Sequence, residues 1–292
     1  MDENVIKSIC WDITSRCNEG CRFCYRNQNN EEMNLESNKI ILKKLIDFGV
    51  DKISFVGGEP LLYRDLFELV EWGREYAKGK TIFSITTNGI LLTDIIDNKI
   101  RIKIELMNKM LKLFDWITFS IDGPNTEIQS RMGRNTLHFN RIISILEYLD
   151  IGKYDNKVKI NTVVSKINVE HILDLYKILC KYYNVKRWKI FRFLPSRGNA
   201  LEYKDKYYIS EDIFLNKIEE IKKYNSKIKI SANGYDNFDN SYITISSEGK
   251  LVVYDKESYM NKVDLLNEDV INILKYIDIN GHKKNRSDFL YC

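Results

Sequence analysis

Three cysteines, Cys17, Cys21 and Cys24, stand close together in "SRCNEGCRFCYRN" (15–27), at spacing C-x3-C-x2-C. Thiolates at such spacing are soft metal donors, suited to zinc or to iron–sulfur clusters. Structural zinc usually takes four ligands in paired C-x2-C spacings, and no second pair is present. Three thiolates holding three irons of a four-iron cluster leave the fourth iron open to a substrate or cofactor. Two other readings stand beside this one: a zinc site completed by a distant residue such as His138 or His282, and thiols that bind no metal at all. Neither histidine sits in a metal-like spacing. The remaining cysteines, Cys10, Cys180 and Cys292, read as packing or incidental thiols.

Such a site needs a framework. The chain has 292 residues, 44% apolar and 29% charged, a composition that can bury a sizeable core and argues against disorder. With 45 basic and 41 acidic residues the formal charge is +4, so the surface is mixed and not that of a nucleic-acid-polymer binder. "MDENVIKSICWDIT" begins acidic and lacks the basic start and apolar run of a signal peptide. No apolar run reaches membrane-spanning length. Half the cysteines cluster in one loop instead of forming a disulfide framework, which fits a reducing cytoplasm and no membrane partner.

Short β-branched runs alternate with runs of helical period. Strands are expected at 7–14, 51–57, 81–87, 115–122, 158–165 and 187–193, and helices at 36–48, 64–77, 103–114, 136–149 and 169–183. In the fourth helix Phe139, Ile142, Ile143, Leu146 and Leu149 share a face. Repeated strand–helix–strand units imply a parallel sheet with helices outside. Six strands are too few for an eightfold barrel, so the expected fold is α/β, a partial (β/α)6 barrel over residues 1–195. Residues 196–292 read as an extension capping the barrel, not an independent domain. They carry a helix at 210–224, a strand near "KIKISA" and a hairpin in "SYITISSEGKLVVYD" whose "SEG" makes the turn.

In a parallel α/β fold the loops after the strands form the active-site rim, and the cysteine loop follows the first strand directly. "VGGEPLL" (56–62) closes the second strand. There Gly57 and Gly58 permit close backbone approach, Glu59 can accept from an ammonium, and Pro60 stiffens the exit. "TTNG" and "SIDG" end the third and fourth strands, making Asn88, Ser120 and Asp122 candidates for hydrogen bonding to a ligand. Arg134 follows in "SRMGRN".

The cysteine spacing with an aromatic before the third thiol, together with the Gly-Gly-Glu-Pro turn, resembles the radical S-adenosylmethionine superfamily. The resemblance implies a 4Fe-4S cluster on Cys17, Cys21 and Cys24, with S-adenosylmethionine on the open iron. An external one-electron donor such as a flavodoxin or ferredoxin would drive cleavage to a 5′-deoxyadenosyl radical that removes a substrate hydrogen. Phe23 matches the aromatic beside the adenine, and Asn88, Ser120 and Asp122 lie in segments like those that contact ribose and methionine. Arg134 lies where related enzymes reach the cofactor carboxylate.

Strands five and six bear on the substrate. "KINTVV" puts Lys159 and Asn161 on one face, and "RWKIFR" puts Arg187, Lys189 and Phe191 on one face. If those faces point inward, the lumen holds adjacent cations suited to phosphate; basic residues more commonly point outward. "SIDGPNTEIQSRMGR", "KINTVVSKINVEHI", "RWKIFRFLPSRGNA" and "NSYITISSEGKLVVY" resemble viperins, which dehydrate a nucleoside triphosphate to its 3′-deoxy-3′,4′-didehydro form. That resemblance implies triphosphate binding by Lys159 and Lys189 and radical quenching by Tyr242. The alternatives are modification of a peptide or another small molecule without auxiliary clusters, and a noncatalytic metal-dependent binding protein that keeps the fold.

Overall fold

Alternation between small polar and large apolar side chains lets each strand serve two environments at once. In β1 (Ile9–Thr14) the residues Ile9, Trp11 and Ile13 are buried on the helix side. The same holds for Ile53 and Phe55 in β2 (Lys52–Gly57), Phe83 and Ile85 in β3 (Ile82–Thr87), and Ile117 and Phe119 in the strand Trp116–Ser120. The intervening positions, among them Cys10, Ser54, Ser84 and Thr118, face the lumen. Full burial of each large apolar side chain contributes roughly 1.5–3 kcal/mol. The outer faces therefore drive folding, which leaves the inner face free for chemistry.

The computed structural model describes residues 6–26, 31–154, 157–224, 227–234, 242–255 and 258–286; Cys292 lies outside them. All six expected strands form. A short hairpin of β4 (Thr93–Ile96) and β5 (Lys99–Ile102) precedes β6 (Trp116–Ser120), β7 (Lys157–Val164) and β8 (Val185–Arg192). The helices are α1 (Leu35–Asp47), α2 (Leu66–Ala77), α3 (Ile104–Leu113), α4 (Thr126–Arg131), α5 (His138–Ile151) and α6 (Ile172–Leu179). Asn34 caps α1 and Asn125 caps α4, each accepting from a backbone N–H of the first turn.

After β8 come α7 (Gly198–Glu202), α8 (Lys204–Tyr207), α9 (Glu211–Lys222), β9 (Lys229–Asn233), β10 (Thr244–Ile245), β11 (Lys250–Asp255), β12 (Ser258–Asp264) and α10 (Ile279–Arg286). One ten-stranded sheet runs β12-β11-β10-β1-β2-β3-β6-β7-β8-β9. From β10 to β9 every neighbour is parallel, and β11 and β12 continue antiparallel. Its edges are β12 and β9, so the barrel is partial. The C-terminal region adds strands at both edges as well as helices beside the cysteine loop. The expected "SEG" turn forms between β10 and β11, with Gly249 at φ 78° and its N–H donating to Ser246 O at 3.0 Å. Among the described residues no helix is long and apolar enough to cross a membrane.

Candidate active site

The loop between β1 and α1 leaves the sheet at Thr14 and brings three thiols back over the strand ends. Its path is fixed by backbone pairing with the next strand's turn. Gly58 N donates to Thr14 O at 2.9 Å and Glu59 N to Arg16 O at 2.7 Å. A Cβ at Gly57 would fall 2.3 Å from Thr14 O, and one at Gly58 would fall 2.1 Å from Arg16 O. Two consecutive glycines are thus what this crossing requires. Gly57 also has φ 134°, open to glycine and strained for other residues. Pro60 then opens a 3₁₀ turn, where a missing N–H costs nothing.

Glu59 is 1% exposed. Its carboxylate accepts from Thr87 Oγ1 (2.7 Å), Leu61 N (3.2 Å) and Asn88 N (2.7 Å), tying the glycine turn to the end of β3. Burial pushes its pKa up to about 7, against the three hydrogen bonds and Arg134, which pull it down. It does not line the cavity below. Because the folded pKa lies above the ordinary value of 4.5, the stability linked to Glu59 is full below pH 4.5. It is lost as pH rises through about 7. Glu59→Gln is therefore expected to remove about 3 kcal/mol of pH-dependent destabilisation between acid and neutral pH. Urea unfolding of the metal-free chain at both pH values checks this; parallel pH profiles for the two proteins would refute it.

Cys17, Cys21 and Cys24 share the wall of a lumen cavity of about 270 Å³. The C-terminal region holds their loop from outside. Ala200 N donates to Cys24 O at 3.0 Å, Asn199 Nδ2 to Cys21 O at 3.2 Å and Arg197 Nε to Tyr25 O at 2.9 Å. Burial pushes all three thiols up, Cys17 to about 11. The metal-free thiols are thus protonated at neutral pH, and metal binding must displace those protons. No described cysteine is in a disulfide. Cys10 lines the cavity, and Cys180 is exposed.

Neither histidine completes a zinc site. His138 is buried with Nδ1 at 3.1 Å from Gln129 Nε2, and burial followed by Arg134 drives its pKa well down. His282 Nε2 accepts from Lys7 N at 3.1 Å and Ser8 N at 3.4 Å, at the start of β1 and away from the loop. Among the described residues no three His, Cys, Asp or Glu side chains close on a single ion.

Arg134 is buried, not solvated. Its Nε donates to Asp122 Oδ2 at 2.9 Å, and its guanidinium lies 5.1 Å from the Phe23 ring centre. Burial pulls its pKa down, but Cys21, Asp122 and Glu19 leave it raised, so the charge stays. Asp122 also accepts from Val163 N at 2.8 Å, while Gln129 Oε1 accepts from Asp122 N at 2.9 Å. Asn88 Nδ2 donates to Asn18 Oδ1 at 2.7 Å, bracing the cysteine loop against β3. Phe23, Gly57, Gly58, Asn88, Ser120, Asp122 and Arg134 all line the cavity.

Deeper in the lumen lie Lys159 and Asn161 of β7, Lys189 and Phe191 of β8, and Tyr242 ahead of β10. The inward face is thus the basic one. Lys189 is 2% exposed and donates to the Tyr242 hydroxyl. Asn161 Oδ1 is buried and accepts no hydrogen bond from the described residues. Arg187 lies on the same face but below the cavity lining, its guanidinium 5.1 Å from the Trp116 ring centre.

Lys52, at the start of β2, lines the cavity beside Ser54 and is absent from the sequence-derived set. Its signal was available: it shares the period-two face of Ser54 and Val56, the residues between being Ile53 and Phe55. Tyr25 and Arg26, just past the third thiol, also line the cavity, with Arg26 paired to Asp12.

The donor set fits an iron–sulfur cluster with S-adenosylmethionine: three soft thiols converge on one cavity whose near wall offers Asn88, Ser120 and the Asp122–Arg134 pair. A parallel partial barrel with such a loop over its strand ends defines an enzyme that works through a cofactor held at the barrel mouth. The family model described as the Radical SAM superfamily matches residues 11–179, more than half the chain, and the chain belongs to that superfamily. It is a radical SAM enzyme, which uses S-adenosylmethionine and requires an external one-electron reductant.

Among relatives, the chain is 28% identical over 296 residues to the S-adenosylmethionine-dependent nucleotide dehydratase of Flammeovirga pacifica, covering 95% of this chain and 96% of that protein. It is 30% identical over 233 residues to the GTP 3′,8-cyclase of Nautilia profundicola, covering 77% and 66%. In fold it is similar to Streptococcus suis SuiB bound to S-adenosylmethionine, with TM-score 0.68 and 17% identity over 97% of this chain and 68% of that one.

Proposed function

We propose that the enzyme dehydrates a nucleoside triphosphate, removing a ribose hydrogen and a neighbouring hydroxyl. The observation that carries this reading is the lumen itself, where Lys52, Lys159 and Lys189 face one cavity from three strands. Cavity-lining carboxylates, Glu19 and Asp122, belong to the cysteine loop and the end of β6. One end of the cavity therefore suits a polyanion and the other a cofactor. The near full-length similarity to a nucleotide dehydratase supports the same substrate class.

Cys17, Cys21 and Cys24 would hold a 4Fe-4S cluster, and Phe23, Asn88, Ser120, Asp122 and Arg134 would receive S-adenosylmethionine. Bound there, the pair supplies the one-electron chemistry that produces a hydrogen-abstracting radical. The chain's own residues do the rest. Gly57, Gly58, Glu59 and Pro60 fix the loop that carries the thiols. Lys52, Lys159 and Lys189 bind the triphosphate with charge-assisted hydrogen bonds, and Arg187 adds positive charge beneath them. Asn161 Oδ1 accepts from a substrate hydroxyl. Tyr242 gives one electron to the substrate radical as its phenolic proton leaves with the departing hydroxyl as water, and the external reductant with a solvent proton restores the phenol. The enclosing barrel excludes water.

The test is anaerobic reconstitution and reduction with S-adenosylmethionine and a panel of nucleoside triphosphates, measuring 5′-deoxyadenosine and nucleotide products. Strong stimulation by one triphosphate with a dehydrated product is expected. Cleavage indifferent to every nucleotide would overturn the nucleotide reading and point to a peptide or another small molecule.

A further inference from the structure

The cysteine loop has two faces. Its inner face lines the lumen. Its outer face forms the floor of a second cavity of about 460 Å³, lined by Asn18, Arg22, Arg131, Gly133, Lys206 and Tyr207 among others. Glu19 and Arg134 line both cavities, so a single layer of side chains separates them. Tyr207, on the outer side, packs edge-on to Phe23, on the inner side, with ring centres 6.3 Å apart.

The outer rim is basic. Arg22, Arg131 and Lys206 are exposed there. Aromatic rings hold two of them in place: Arg22 lies 5.4 Å from the Tyr203 ring centre and Lys206 lies 5.7 Å from that of Tyr207. Glu127 sits 3.9 Å from Arg131, a long, solvent-exposed pair of little strength. Glu19, between the two cavities, is buried and accepts from Asn135 N at 3.2 Å, so it is not part of the exposed rim.

We propose that this outer cleft is the docking surface for an acidic one-electron carrier protein of the flavodoxin or ferredoxin type. The inference rests on the assignment of Cys17, Cys21 and Cys24 as cluster ligands. A folded donor cannot enter a lumen that holds cofactor and substrate. The outer cleft is an exposed surface within one side-chain layer of the thiols, and its cationic rim complements an acidic partner. In each encounter the reduced donor gives up one electron, which crosses the loop to the cluster site.

The test uses reduced flavodoxin as the probe and the double variant Arg131→Glu/Lys206→Glu. Calorimetric titration of flavodoxin into the metal-free chain at low salt is expected to show affinity lowered roughly tenfold in the variant. Wild-type binding should weaken with added salt, and the variant's should respond less. In the reconstituted enzymes, flavodoxin-driven cleavage of S-adenosylmethionine should fall while dithionite-driven cleavage stays unchanged. Arg131→Gln/Lys206→Gln, the milder change, is read by the same criteria should the charge reversal impair folding. Equal flavodoxin affinity and salt response in wild type and variant would overturn the docking surface. Wild-type enzyme that fails to cleave S-adenosylmethionine even with dithionite would instead overturn the ligand assignment on which the inference rests.

Discussion

Cys21→Ala is expected to abolish cluster-dependent turnover altogether, with iron per chain falling and no 5′-deoxyadenosine formed under dithionite. Cys21 is 7% exposed and packs with Phe23, Met132, Phe193, Ala200 and Tyr207 beneath the outer cleft. Its neighbourhood keeps the metal-free sulfur a thiol. Burial raises its pKa, while the Arg134 guanidinium opposes that rise. Removing one thiol from three leaves two donors for a cage that needs three corners held. The loop itself should persist, because its supports are backbone bonds at Gly58, Glu59 and Ala200 and the Asn199 amide on Cys21 O. Far-ultraviolet circular dichroism should therefore match wild type while iron is lost. Retained cleavage by Cys21→Ala would sink the ligand assignment. Since iron must displace protons from buried thiols, reconstitution of the wild type should also go faster at mildly alkaline than at neutral pH.

The parts of this molecule legible in sequence are those specified locally. Six strands and five helices follow from period alone, and "GGEP" and the cysteine spacing mark the loop crossing that the structure builds from Thr14, Arg16, Gly57 and Gly58. What sequence hid depends on distant partners. The pairing of β9 with β8 and of β10 with β1 joins short segments to strands remote in the chain, and β10 is only two residues long. Period alone reads such segments as a cap. Glu59 reads as a ligand for an ammonium, yet it stands off the cavity wall and accepts from Leu61 and from Thr87 and Asn88, the last two becoming neighbours only when β3 lies beside β2. Arg187 shares a face with Lys189, but depth along a strand decides function and periodicity does not report depth.

Two misses had a local signal. The hairpin of β4 and β5 turns at Asp97 and Asn98, with φ of 50° and 57°, the left-handed pair that favours such residues between two strands. Lys52 was also missed, because a lysine at a strand's first position reads as a solvated end. In the barrel that end opens into the lumen, where lysine is costly unless an anion or hydrogen-bonding partner compensates it. Three cations facing one cavity from an otherwise small, polar inner face make the statement on which the proposed substrate rests.

That statement carries the second large prediction. Lys159→Ala with Lys189→Ala is expected to weaken nucleoside triphosphate binding roughly hundredfold or more, since each lost charge-assisted contact costs roughly 1.5–3 kcal/mol. The two residues sit on adjacent strands, with Asn161 directly opposite Lys189 in register, so their effects should couple and not simply add. Lys189 is the more deeply buried and also touches Tyr242, so its loss could act by packing alone. Lys189→Met separates the two causes: it keeps the aliphatic packing and removes the ammonium, with its charge and its hydrogen bond to Tyr242. Both variants should load iron as wild type does, because the lysines stand on β7 and β8 and the thiols on the loop after β1, and stability should not fall with Lys189→Met, since a buried ammonium carries a desolvation cost of its own. Calorimetric titration of the metal-free chains with nucleoside triphosphates, and with inorganic triphosphate as a competitor, reads affinity apart from catalysis. Affinity that falls for nucleotide and inorganic triphosphate together places the polyphosphate on these lysines. Unchanged nucleotide binding in both single alanine variants would remove the phosphate role from this face of the barrel, and with it the nucleotide as substrate.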